Sequence, residues 1–228
     1  MYTLQHKDPS QSPWLEDIYN KYIGYKSDGF FVEIGVGRCI GCPSNTASLA
    51  DLGWRGIYIE PNPNYCIECE ERHSNNDVTV LNFAAGDTHR TVTLTTGDTL
   101  RKEVKDNFDR LNYVYFHHFE PMEVTEAPVN ELLTNSLCPP KFDLLSVDVE
   151  GYEKIVFDEL DLSLFTPKVI VAESRAFDLR FDEIFREESK HFEKRIESQG
   201  YSLIYRDELN VCFVKDPTSQ LDSEDITL

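Results

Sequence analysis

Apolar and polar positions along the chain follow two periods in turn. Leu15 to Tyr25 carries apolar residues at helical spacing, and Phe30 to Ile34 is a short apolar run closed by Gly35 and Gly37. Ser44 to Leu52 has the helical period and ends at Gly53, Gly56 to Ile59 is a second apolar strand, Asn64 to Arg72 a second helix, and Val78 to Phe83 a third strand. Residues 88–127 break this rhythm. Thr91 to Thr95 alternates in the β manner and Leu100 to Phe108 has helical spacing, so an insertion carrying a hairpin and loops is predicted there. The rhythm resumes with a strand at Phe142 to Val147, a helix around Tyr152 to Leu160, a strand at Val169 to Ala172 and a charged helix from Phe181 to Ser198 that stops at Gly200. Alternating strands and helices predict a mostly parallel sheet with helices on both faces. The final β runs, Tyr201 to Tyr205 and Val211 to Val214, are joined by only a few polar residues. A hairpin fits that spacing and makes the terminal strand antiparallel, whereas a dinucleotide-binding domain stays parallel.

Length and charge narrow the classes. A chain of 228 residues fits one α/β domain, here residues 1–215, followed by an acidic tail over 216–228 that is expected to fray. The net charge of −19, from 41 acidic and 22 basic residues, speaks against a nucleic-acid partner, which calls for a basic face. No apolar run approaches the roughly 18–20 residues of a membrane span, and Met1 to Pro13 is polar, so a cytoplasmic location without a membrane span is expected.

Candidate chemistry gathers where strands end. In Phe31-Val32-Glu33-Ile34-Gly35-Val36-Gly37 an apolar strand runs into a glycine turn, where backbone can approach a ligand closely. The spacing to Gly41, G-x-G-x-x-x-G, is one residue longer than the dinucleotide fingerprint, and a plain strand-to-helix turn accounts for it equally well. Glu60 ends the next strand and suits a ribose diol, or a helix N-terminus. Asp87, after Ala84-Ala85-Gly86, stands where an adenine amino group or an ordinary turn would use it. Asp148 and Glu150 end the fourth strand. They would share one face if that strand persisted, and such crowded carboxylates suit proton abstraction from a hydroxyl. Alternatively, Glu150 and Glu153 cap the following helix.

Together these pieces resemble the FkbM family of methyltransferases. The resemblance rests on Phe31 to Gly37, Ser44-Asn45-Thr46, Gly53-Trp54-Arg55-Gly56, Ile59-Glu60-Pro61-Asn62-Pro63, Asp148-Val149-Glu150-Gly151-Tyr152-Glu153 and Pro167 to Glu173. It implies a Rossmann-like class I fold with a terminal antiparallel strand, S-adenosyl-L-methionine as methyl donor, and O-methylation of a sugar or another hydroxylated metabolite. Cofactor contacts are expected at Glu33, Gly35, Gly37, Asn45, Thr46, Glu60, Pro61, Asn62, Asp87 and Asp148. Catalysis is expected of Asp148 with Glu150 and Glu173 in support; His117 and His118, in the insertion, are candidate bases or else solvated loop histidines. The sequence departs from the family at Glu33 and at Asn130, where Asp is usual, and residues 88–127 match no family element.

Two metal readings stand beside this. Asp148, Glu150 and Glu173 are hard oxygen ligands suited to Mg²⁺. Cys39-x-x-Cys42 and Cys66-x-x-Cys69 have nearly the spacing of a four-thiolate zinc site, although small apolar fillers are the simpler reading and a disulfide is unusual in the cytosol. No bound metal is expected. A nicotinamide oxidoreductase and a non-catalytic module on the same fold remain the alternatives.

Overall fold

The computed structural model describes residues 14–39, 44–95, 121–178, 181 and 183–216. Among the described residues ten strands form: β1 (Phe30–Ile34), β2 (Arg55–Ile59), β3 (Val78–Leu81), β4 (Ala84–Gly86), β5 (Arg90–Thr95), β6 (Pro121–Pro128), β7 (Lys141–Val147), β8 (Thr166–Glu173), β9 (Tyr201–Arg206) and β10 (Asn210–Lys215). Seven of them make one sheet in the order β3-β2-β1-β7-β8-β10-β9. β1 lies at its centre, with Val32 opposite Ile57 on one side and Leu145 on the other, both pairings parallel. β10 runs antiparallel to β8 and to β9, as the short final connection requires. A mostly parallel sheet ended by an antiparallel strand, with helices on both faces, is the fold expected from the sequence.

The central strands are buried on both faces, which is why they read as continuous apolar runs. On one face Val32, Ile34, Ile57, Leu145 and Ile170 pack under α4 (Val129–Asn135), α5 (Glu153–Glu159) and α6 (Glu183–Ser198). On the other, Phe31, Tyr58, Leu144 and Val169 pack under α1 (Leu15–Ile18), α2 (Ala47–Asp51) and α3 (Pro63–Arg72). The leading helix is shorter than predicted. It passes into a π-helical turn at Tyr19–Ile23 that ends at Gly24, whose φ of 79° only glycine adopts freely.

Of the insertion, the two strands at its ends are described, and the residues that join them, 96–120, lie outside the described residues. β5 and β6 pair antiparallel, Val92 opposite Val124, and β4 adds to β6 in parallel, giving a three-stranded sheet. The helix predicted at Leu100 to Phe108 lies outside the described residues, as do Cys42 and the tail beyond Asp216. Asn130, where the resemblance leads one to expect Asp, ties α4 to the end of α5: its amide donates to the Glu159 carbonyl at 2.6 Å and accepts from the Asp161 N–H at 3.0 Å. That is a structural duty which an amide performs.

Candidate active site

The carboxyl ends of β1, β2, β3 and β7 meet at one edge of the sheet. β1 stops at Ile34 because Gly35 turns the chain with φ 80°, its N–H donating to the Ile59 carbonyl at 2.9 Å. A Cβ at Gly35 would stand 1.7 Å from the Asp148 carbonyl oxygen, so no side chain fits between β1 and β7 here. Gly35→Ala is expected to lose about 3–4 kcal/mol of stability, from the backbone clash plus the left-handed strain. Urea unfolding checks this, and a loss under about 1 kcal/mol would show that the turn relaxes.

Glu60 is fully buried at the end of β2. One carboxylate oxygen accepts from the Gly37 N–H at 2.9 Å and the other from the Asn62 N–H at 2.8 Å. Glu60 thus joins the glycine turn to the start of α3, whose N-terminus Asn62 caps by accepting from the Asn64 N–H. Asn82, unremarked in the sequence, secures the same turn by donating to the Glu60 and Pro61 carbonyls at 3.0 and 2.8 Å. Beside this turn lies an apolar cleft of about 370 Å³, mouth included, walled by Gly35, Pro61, Phe83, Ala85, Leu94 and Tyr152. Leu94 comes from β5, so the small sheet closes one side.

Glu33 lies beneath the turn. Its carboxylate accepts from Ser44 Oγ at 2.7 Å, from the Asn45 N–H at 2.9 Å and from Thr46 Oγ1, and Thr46 Oγ1 also meets the Tyr58 hydroxyl at 3.2 Å. Burial raises the Glu33 pKa, and these donors work against the rise. Glu33 thus braces the residues before α2 through Asn45 and Thr46, and the Asn45 amide donates in turn to Ser146 Oγ at 3.1 Å. Asp87, by contrast, is exposed, 3.9 Å from Arg90.

The carboxylates after β7 and at the end of β8 converge, by a route other than the one predicted. β7 ends at Val147, and Glu150 has φ 52°, so Asp148 and Glu150 do not share a strand face. A tight turn carries them instead. Glu153 holds it by accepting from the Val149 N–H at 3.0 Å and the Gly151 N–H at 3.1 Å, so Glu153, not Glu150, caps this turn. One carboxylate oxygen each from Asp148, Glu150 and Glu173 then lie within 4.8 Å of one another. Burial pushes Glu173 well above the ordinary carboxylate range and also raises Glu153. Arg175, which carries no sequence signal, faces them all.

Residues 35–203 match the family profile of the methyltransferase FkbM domain. The chain belongs to the FkbM methyltransferase family. Membership confirms the cofactor class, S-adenosylmethionine. Solved structures agree in fold. The methyltransferase FkbM from Methylobacillus flagellatus KT is 14% identical with a TM-score of 0.50, over 85% of this chain and 46% of that one. Cofactor-bound Rv0187 from MTB is 12% identical with a TM-score of 0.51, over 92% and 84%. Such identities show shared architecture alone. No curated protein matches the sequence significantly.

In this FkbM domain the cysteines correct the sequence reading. Cys39 and Cys69 form a disulfide, and Cys66 is buried with its thiol donating to the Glu60 carbonyl, its pKa pushed up by burial to about 12. Neither a four-thiolate zinc site nor four simple fillers describes them. The spacing misled because Cys66 and Cys69 both belong to α3, yet Cys69 faces the glycine loop and Cys66 the Glu60 turn. The disulfide closes a separation of 30 residues and should contribute about 3–4 kcal/mol by restricting the unfolded chain. Urea midpoints with and without a dithiol reductant test this, and coincident curves would contradict it. His117 and His118 lie outside the described residues. Among those residues no helix is long and apolar enough to cross a membrane.

Proposed function

We propose that this FkbM domain, residues 1–215, transfers a methyl group from S-adenosylmethionine to a hydroxyl of a sugar or another hydroxylated metabolite. The carrying observation is the meeting of the Asp148, Glu150 and Glu173 carboxylates beside the cleft bounded by Gly35 and Pro61. The residues fit the cofactor. The cleft is apolar enough for an adenine ring, the Gly35 cradle admits no Cβ, and Glu60 is a buried carboxylate at the strand end where a ribose diol is received.

When bound, the cofactor supplies a sulfonium methyl that is already electrophilic. The chain's part is to orient the acceptor oxygen and take its proton. Gly35, Gly37, Glu60, Pro61 and Asn62 form the cofactor's seat, Asp87 accepts from the adenine amino group, and Glu33, Asn45 and Thr46 brace the turn from below. Asp148, next to the Gly35 cradle, receives the hydroxyl proton. Glu150 and Glu173 support it, and His117 offers a second base from the insertion, where acceptor specificity resides. An excess of acidic groups favours an uncharged polyol over a nucleic acid as acceptor.

Calorimetric titration with S-adenosylmethionine and S-adenosylhomocysteine, with NAD as control, tests the cofactor half. Micromolar binding of both adenosyl ligands and none of NAD is expected. A glycan and polyol screen with radiolabelled methyl donor tests the other half. Folded protein that binds neither adenosyl ligand would overturn the reading, and binding with methylation confined to amines or carbon would overturn O-transfer.

A further inference from the structure

Arg175 is 3% exposed, one of the most deeply buried charges in the domain. Its backbone is anchored just past β8, where its N–H donates to Ser189 Oγ on α6 at 3.0 Å. Its side chain then turns back toward the cleft edge. Nη2 stands 2.9 Å from Glu150 and 2.7 Å from Glu173, and Nη1 3.7 Å from Glu153. The Phe181 ring covers the guanidinium at 4.9 Å. A single Nη thus bridges two of the three carboxylates that converge with Asp148, and the other Nη reaches the glutamate that holds their turn. Three carboxylate oxygens within 4.8 Å is the donor set a hard divalent cation takes in proteins. Here a fixed guanidinium already pairs with two of the three.

We propose that Arg175 is the positioning residue of the acceptor-side carboxylates and acts as their built-in cation, in the place a divalent metal would otherwise take. Burying several carboxylates together requires a counter-charge, and a planar fork anchored by its backbone supplies one in fixed geometry. Methyl transfer by this domain is then metal-independent. That consequence rests on the proposed function, whereas the ion pairing itself does not.

The test uses Mn²⁺ alone, read by the electron paramagnetic resonance of free and bound ion at pH 8, on the full chain. Wild type is expected to show no saturable site at millimolar Mn²⁺. Arg175→Met should gain one site about 100-fold tighter or better, which Glu173→Gln in the same background abolishes. Arg175→Lys, which keeps the charge, should behave as wild type. One equivalent of Mn²⁺ on wild type, or none on a folded Arg175→Met, would overturn the proposal. Should Arg175→Met fail to fold, the pair Arg175→Met/Glu153→Gln, which removes one negative charge with the positive one, carries the same expectation. Chelator is expected to leave wild-type turnover unchanged. Loss of turnover on chelation would overturn metal independence, while failure to bind S-adenosylmethionine would count against the proposed function alone.

Discussion

Replacing Glu60 by alanine is expected to weaken S-adenosylmethionine binding by at least about 100-fold, measured by calorimetry on protein that remains folded. Two losses combine. On the proposed function the carboxylate no longer receives the ribose diol, and each charge-assisted hydrogen bond of that kind contributes about 1.5–3 kcal/mol. The N–H groups of Gly37 and Asn62, which Glu60 now satisfies at 2.9 and 2.8 Å, are also left without their acceptor. The glycine turn and the start of α3 then lose their common anchor, so the seat is less well formed before the ligand arrives. Glu60→Gln separates the two effects. It keeps one carbonyl oxygen for the backbone but removes the charge, and should fall between wild type and alanine. Binding within about threefold of wild type in Glu60→Ala would place the ribose elsewhere.

The fold was legible because its signals are local. The β1, β2, β7 and β8 runs are apolar throughout since helices cover both faces, and the few polar residues between Tyr205 and Val211 leave room only for a hairpin. The glycine turn was legible as a close approach, since Gly35 lies against the Asp148 carbonyl. The site was less legible where it depends on distant partners. Glu33 reads as a ligand contact, but its three donors, Ser44, Asn45 and Thr46, come from a loop whose path no periodicity reveals. Asp148 and Glu150 were paired through strand alternation, a rule that lapses once Glu150 enters the left-handed region. Arg175 was invisible for the same reason. One arginine after a strand means little until α6 fixes its backbone and three glutamates from two chain segments close on it. The Cys39–Cys69 bond joins one member of each C-x-x-C pair across adjacent elements, a choice that spacing alone leaves open.

Asp148→Asn is expected to lower kcat by about 10²–10⁴, the range for a lost general base, while the Kd for S-adenosylmethionine stays within about threefold of wild type. The position argues for this split. The Asp148 N–H donates to the Ile34 carbonyl at 2.9 Å, and its own carbonyl abuts Gly35, so the backbone that shapes the cofactor turn is shared by both variants. Only the proton-accepting capacity of the side chain is removed. On the proposed function Asp148 acts because it lies beside the Gly35 turn, while Glu150 and Glu173 pair with Arg175 and Glu153 holds the turn through the Val149 and Gly151 N–H groups. Glu173→Gln should therefore cost turnover much less than Asp148→Asn. Equal losses in the two variants would assign the proton to the cluster as a whole, and an unchanged kcat in Asp148→Asn would move the base to His117 in the insertion.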